Sequence, residues 1–166
     1  MSLLSGKRAV VTGAGGGLGA AIATAFAAEG AQVHVVDRRA GAAEEVVAKI
    51  RAEGGSAVAE TLDVSDRDAV MAYGARILAE HGSVDVLVNN AGIAPRSRPE
   101  DPDQAERWDE VIRINLTAQW DLTVSLLPGL RHAGVSVIFM SSIAGFSAPR
   151  SSAAYGASKA GLRSLV

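Results

Sequence analysis

Tyr155 and Lys159 stand four positions apart in the run Tyr155-Gly156-Ala157-Ser158-Lys159. On a helix that spacing puts a phenol and an ammonium group on one face, about one turn apart. A free phenol titrates near ~10 and is a poor proton carrier at neutral pH, but a cation beside it favours the phenolate. Bringing such a group down by ~3 units takes ~4 kcal/mol, more than one exposed ion supplies, so burial and a second positive group must contribute. Ser141 and Ser142 close an apolar run upstream, and periodicity alone does not separate them as the hydroxyl that orients a substrate oxygen. This is proton-transfer chemistry. The chain has no cysteine, and His34, His81 and His132 are far apart without ligand spacing. Disulfides, a thiolate nucleophile and a metal site are therefore not expected.

A second group of residues surrounds a glycine-rich turn. Thr12-Gly13-Ala14-Gly15-Gly16-Gly17-Leu18-Gly19 follows the apolar run Ala9-Val10-Val11 and opens a stretch of small residues, so a strand hands over to a helix there. Glycine lets the backbone turn sharply and lets a ligand come close, and the helix start offers unpaired amides to a phosphate. Read as GxGxxG from Gly13, the dinucleotide pattern fails at Leu18. Read from Gly15 it gives Gly15, Gly17 and Ala20, a permitted variant. TGxxxGxG, with Thr12, Gly13, Gly17 and Gly19, fits at every position.

Asp37 lies 18 residues beyond Gly19, at the end of the next apolar run, where an acid accepts hydrogen bonds from an adenosine ribose. Arg38 and Arg39 follow it and would suit a 2′-phosphate instead. A carboxylate ~4 Å from that phosphate costs up to a few kcal/mol at an effective dielectric of ~20, so NAD is expected ahead of NADP. Asp63-Val64 closes a third run, with Ser65 expected as the N-cap of the helix that follows. Asn89-Asn90-Ala91-Gly92 closes a fourth, again beyond the carboxyl end of a strand, where parallel sheets bind ligands. Asn115 interrupts the apolar pattern of Val111, Ile112, Ile114 and Leu116, and its amide requires specific partners.

TGxxxGxG, Asp37, Asp63-Val64, the NNAG motif, Asn115, Ser142 and Tyr155-xxx-Lys159, in this order, resemble the short-chain dehydrogenase/reductase family over essentially the whole chain. The resemblance implies an NAD(P)-dependent oxidoreductase that interconverts a secondary alcohol and a ketone, with Asn115, Ser142, Tyr155 and Lys159 as its catalytic group. Ser142 precedes Tyr155 by 13 residues, which is the family's spacing, and would orient the substrate oxygen. Tyr155 would exchange the proton. Lys159 would favour the phenolate and hold the nicotinamide ribose, while the backbone carbonyl of Asn115 would hold a water linked to Lys159. Gly13, Gly15, Gly17, Leu18, Gly19, Asp37, Arg38, Asp63, Val64, Asn90, Ala91, Gly92, Tyr155 and Lys159 would bind the cofactor, with Asp63 taking the adenine amino hydrogen and Val64 packing on its face. The family often assembles as dimers or tetramers through the helices of Asn115 and Tyr155, so a homo-oligomer is implied too.

These groups need a scaffold that gathers strand ends. Short β-branched runs alternate with amphipathic ones, the pattern of a Rossmann-type doubly wound parallel sheet, an α/β fold. Strands are expected at 9–12, 33–37, 57–62, 84–89 and 135–141. Helices are expected at 18–29, 42–53, 66–81 and 104–127, with another starting near Ala153. Gly30, Gly54-Gly55, Gly82 and Gly134 would cap helix ends. The prolines at 95, 99 and 102 mark a loop, in which Arg96 and Arg98 are solvated or meet an acidic substrate. A length of 166 residues and 48% hydrophobic content suit one dinucleotide-binding domain. A net charge of −2, without a basic stripe, argues against nucleic acid and membrane surfaces and for a small-molecule partner. No apolar run approaches the ~18 residues of a membrane span, and a cytoplasmic protein is expected.

The family's later strands, its proline-glycine turn and its substrate lid find no counterpart in these residues. A further strand, or another subunit, is therefore expected to cover the edge at 135–141, whose residues Val135, Val137, Ile138 and Phe139 are apolar. Phe146, Pro149 and Arg150 are candidates for the pocket mouth. A nucleotide-binding module without catalysis, or an inactive fragment, is the competing reading.

Overall fold

The computed structural model describes residues 2–96, 98–134, 136–147 and 152–165, with the side chains of His132 and Ala133 also left aside. Five strands, β1 (Arg8–Thr12), β2 (Gln32–Asp37), β3 (Ser56–Thr61), β4 (Val86–Asn89) and β5 (Ser136–Phe139), form one sheet. All pairings are parallel and the order is β3-β2-β1-β4-β5. The connecting helices are α1 (Gly17–Ala28), α2 (Ala40–Ala52), α3 (Arg67–His81), α4 (Gln104–Ile112), α5 (Ala118–Ala133) and α6 (Ala153–Leu162). This is the expected Rossmann-type architecture.

Alternation along the strands divides the core in two. Ala9 and Val11 of β1 and Val33 and Val35 of β2 face one way and pack with Ala23 and Ala27 of α1 and with Val47 and Ile50 of α2. Val10 and Val36 face the other way, onto Val70, Tyr73 and Ile77 of α3 and Leu122, Leu126 and Leu130 of α5. A period of two on strands covered on both faces explains why β1 and β2 read as unbroken apolar runs. Gly30, Gly54, Gly82 and Gly134 have φ between 75° and 85° after helices, as left-handed caps, whereas Gly55 is not in that conformation.

Three expectations are corrected. The helix foreseen at 104–127 is two helices joined by a π-helical turn, Arg113–Thr117, and α5 runs past Pro128 to Ala133. Asp66, not Ser65, caps α3, because its carboxylate accepts from the Ala69 amide at 3.0 Å while the Ser65 hydroxyl donates to Asp63. The strand expected from Val84 begins at Val86. Val135, foreseen as the first residue of β5, lies outside the described residues. β5 ends the sheet with β4 as its one strand neighbour among the described residues, and Ile138 is 42% exposed. Among the described residues no helix is long and apolar enough to cross a membrane.

Two features of the α3 side carry measurable consequences. A Cβ added to Gly74 would lie 2.5 Å from Ser125 Oγ and 3.0 Å from its backbone carbon, so α3 and α5 touch backbone to backbone. We expect Gly74→Val to destabilise the protein by about 1–3 kcal/mol through overpacking, read from urea unfolding; an unchanged midpoint would refute the contact. His34 is 1% exposed, with Nδ1 3.2 Å from Glu60 Oε1. Burial holds its pKa below the ordinary 6.5, and the Glu60 contact offsets only part of that. The unfolded chain thus takes up the proton first as pH falls. Stability should decline as pH drops below 6.5 towards the lower folded pKa, and the decline should be shallower in His34→Leu when urea midpoints are compared across that range.

Candidate active site

The carboxyl ends of β1 and β4 are adjacent, although their connections leave in opposite directions, and a crevice opens there. The Thr12 hydroxyl closes the floor of that crevice. It accepts from the amides of Asn90 at 3.1 Å and Ala91 at 3.0 Å, and donates to Val88 O at 3.3 Å. The Asn90 side chain donates back to Thr12 O at 2.9 Å and Gly13 O at 3.2 Å. Gly13 has a φ of 61°, and a Cβ on it would stand 2.9 Å from Ala91 Cα; only glycine lets the two turns meet this closely.

A cavity of about 530 Å³ lies above this floor. Gly13, Gly17, Leu18, Asp37, Arg38, Asp63, Val64, Asn90, Ala91 and Gly92 line it as the sequence suggested. Gly15 and Gly19 do not. Gly15 sits under the turn, donating its amide to Asp37 Oδ2 at 3.0 Å, and buried Gly19 packs against Gly13 and Asn90. Gly16, Val36, Arg39, Leu62, Ile93 and Ile114 also line the cavity. Of these Ile114 had no legible signal, because helix periodicity marks it only as apolar.

The lining suits a dinucleotide. Gly16 caps α1 without a side-chain acceptor, so the first amides of a helix of 12 residues remain available to a phosphate. Asp37 is 8% exposed, and its Oδ1 accepts from Arg39 N at 3.0 Å and Arg39 Nε at 3.3 Å. Asp63 is held below the usual carboxylate range by hydrogen bonds from the Ser65 hydroxyl and amide, and so stays an acceptor.

At the other end of the crevice lie Asn115, Ser142, Tyr155 and Lys159. Asn115 is fully buried in the π-helical turn. Its Oδ1 accepts from Ile93 N and its Nδ2 donates to Ile93 O, both at 2.8 Å, with Ser158 Oγ a further 3.3 Å acceptor. These are the partners its burial demanded. Ser152 caps α6 by accepting from the Tyr155 amide at 3.3 Å, so the Tyr155-xxx-Lys159 spacing is helical. Lys159 is 4% exposed, donates from Nζ to Met140 O at 2.6 Å and stands 5.7 Å from the Tyr155 ring centroid. Desolvation lowers its pKa from the ordinary lysine value. A Cβ on Gly92 would lie 3.7 Å from that Nζ, which joins this end to the cavity.

The two serines separate by their partners. Ser141 Oγ donates to Lys159 O at 2.9 Å and is spent on packing. Ser142 Oγ accepts from Ala144 N at 3.2 Å, which leaves its proton for another acceptor. Phe146 is 72% exposed, with the Arg163 guanidinium 3.9 Å from its ring centroid; Pro149 and Arg150 lie outside the described residues. Arg96 and Arg98 hold the loop through their backbone, Arg96 O accepting from Arg107 Nη1 and Arg98 N donating to Asp101 Oδ2. Gln119 Nε2, which the sequence did not single out, donates to Ala91 O at 3.2 Å.

Comparison with known proteins agrees with this geometry. The family model for short chain dehydrogenases matches residues 7–166. A short chain dehydrogenase/reductase of Colletotrichum higginsianum is 38% identical, over 98% of this chain and 62% of its own length. The D-threitol dehydrogenase of Mycolicibacterium smegmatis is 37% identical, over 96% of this chain and 61% of its own length. A crystal structure from Beutenbergia cavernae, assigned as an NAD(P) dependent gluconate 5-dehydrogenase and holding NADP at low occupancy, is 40% identical with a TM-score of 0.91. That match covers 98% of this chain and 64% of the other. The chain thus spans about three fifths of the length of these relatives. The NADP in that structure removes the expected ranking of NAD over NADP, and the geometry supplies a reason: Arg39 partly offsets the Asp37 charge, and Arg38 and Arg39 both line the cavity. With the motifs in place around one crevice and the family model matching nearly every residue, this chain belongs to the short-chain dehydrogenase/reductase family.

Proposed function

We propose that this chain carries the cofactor cavity and reacting groups of an NAD(P)-dependent oxidoreductase that interconverts a secondary alcohol and a ketone. The observation that carries the reading is the buried Lys159 ammonium, which lies beside the Tyr155 ring and, through Gly92, at the end of the cavity. Bound NAD(P) supplies the hydride acceptor or donor. Amides at the start of α1 hold its phosphates, Asp37 accepts from the adenosine ribose, and Asp63 and Val64 receive the adenine. Arg38 and Arg39 allow a 2′-phosphate.

In alcohol oxidation the Ser142 hydroxyl donates a hydrogen bond to the substrate oxygen and keeps its proton, while Tyr155, as the phenolate, takes the hydroxyl proton and the hydrogen on the carbinol carbon leaves as hydride. Lys159 stabilises the phenolate that precedes this transfer and reaches the nicotinamide ribose. The π-helical turn at Asn115, where Ala118 N donates to Arg113 O in i→i+5 pairing, departs from the regular helical ladder, and the Asn115 carbonyl is given the role of holding a water linked to Lys159. In reduction Tyr155 returns that proton to the carbonyl oxygen. The substrate is a small alcohol or carbonyl compound, and assembly as a homo-oligomer through the α4–α5 segment and α6 is part of the reading. Trp108, Trp120 and Val124 on the α4–α5 segment are 41%, 49% and 38% exposed, which supports that part of the assembly.

The test is to incubate the protein with NAD or NADP and a panel of polyols, hydroxy acids and hydroxysteroids, following reduced nicotinamide. Tyr155→Phe should lower kcat by about 10²–10⁴-fold while leaving cofactor affinity within about threefold, because the hydroxyl moves protons and makes little ground-state contact. Lys159→Ala should damage both. Near wild-type turnover by Tyr155→Phe would refute the assignment. Asp37→Ala removes a ribose acceptor and the repulsion of a 2′-phosphate together, so the ratio of NAD to NADP affinities should shift towards NADP by about tenfold. An unmoved ratio would show that Asp37 does not read the ribose.

A further inference from the structure

The cavity has two walls at its adenosine end that come from distant parts of the chain. Asp63 and Val64 form one, in the loop between β3 and α3, and Ile114 forms the other, in the π-helical turn. Arg113, next to Ile114, spans them. Its Nε donates to Ser65 O at 2.9 Å, directly beyond Val64. Its Nη1 donates to Asp121 Oδ2 at 2.8 Å. Asp121 is 3% exposed, and its other oxygen accepts from Nη2 of Arg67, the first residue of α3, at 2.7 Å. Ser65 is gripped from its other side as well, since Asp63 Oδ1 accepts from its amide at 2.9 Å and its hydroxyl at 2.7 Å.

We propose that Arg113 is a positioning residue that sets the separation of the two walls holding the adenine of the cofactor; this rests on the NAD(P) reading of the cavity. Two directions are needed from one rigid group. The planar guanidinium presents Nε and Nη1 in a fixed fork, so once buried Asp121 orients the plane, Nε is aimed at the Ser65 carbonyl. Among the described residues β3 is the edge strand on this side of the sheet, and no strand lies on the outer flank of the loop after it. Without Arg113 the Asp63-Val64 segment keeps its own turn but loses its tie to the opposite wall. Arg113 touches neither end of the reaction, so its effect should fall on the adenosine half of the cofactor alone.

The experiment titrates the full chain with two probes, ADP-ribose, which lacks the nicotinamide, and reduced nicotinamide mononucleotide, which lacks the adenosine. Arg113→Lys keeps a cation opposite Asp121 and loses the two-armed grip. It should weaken ADP-ribose binding by about tenfold, the value of one charge-assisted hydrogen bond, and leave the mononucleotide within about twofold. If Arg113→Lys does not fold, Arg113→Gln combined with Asp121→Asn removes both charges together and is held to the same criteria. A variant that binds ADP-ribose as the wild type does, or loses both probes equally, overturns the positioning role. A wild type that binds neither probe overturns the NAD(P) reading and the inference with it.

Discussion

The site depends on one side chain joining two strand ends that diverge. β1 is followed by a connection to β2 on one side, and β4, its neighbour on the other, begins the second half of the sheet. Two turns leaving in opposite directions open a crevice, and crevices bind ligands only if their floors hold. The Thr12 hydroxyl, 1% exposed, takes both amides of Asn90 and Ala91, and the Asn90 amide group answers onto the carbonyls of Thr12 and Gly13. A buried donor or acceptor left unmade would cost about 1–3 kcal/mol, so this reciprocal set keeps the glycine turn and the NNAG segment at one spacing. Gly13 is then pressed against Ala91, and no larger residue fits.

From that floor the two ends of the site are supported differently. The glycine end relies on backbone groups and a carboxylate, with Asp37 bracing Gly15 and Arg39. The chemical end relies on burial. Asn115 pins Ile93 with a pair of 2.8 Å bonds, Lys159 is held by Met140 O, and Ser141 ties β5 to α6 through Lys159 O. Gly145 lets the turn after Ser142 lie on α6, because a Cβ there would meet Lys159 O at 2.8 Å. The serine, tyrosine and lysine positions are thereby fixed by packing between backbones rather than by bonds to one another.

The family relationship and the physical chemistry meet at Asp37 and diverge at the cofactor's phosphate. Repulsion between carboxylate and 2′-phosphate argues for NAD, yet the carboxylate is already bonded to Arg39, and a relative of 40% identity binds NADP. A local charge is a poor predictor of specificity when its neighbour on the chain can neutralise it.

By itself the sequence determined the alternation of strand and helix, the parallel sheet, the helix caps at Gly30, Gly54, Gly82 and Gly134, and the motifs at the strand ends. Those are local properties, set by periodicity and backbone freedom. Tertiary structure decided the rest. The different partners of the two adjacent serines are tertiary, since Ser141 Oγ reaches Lys159 O, 18 residues away. The split of the long helix at Arg113–Thr117 is not read from the apolar residues Val111, Ile112, Ile114 and Leu116. Ile114 became part of the cavity wall, and Gln119 and Arg113 reached Ala91 O and Ser65 O, 28 and 48 residues away in the chain. Spacing reveals which residues share a face. Only folding decides which faces meet.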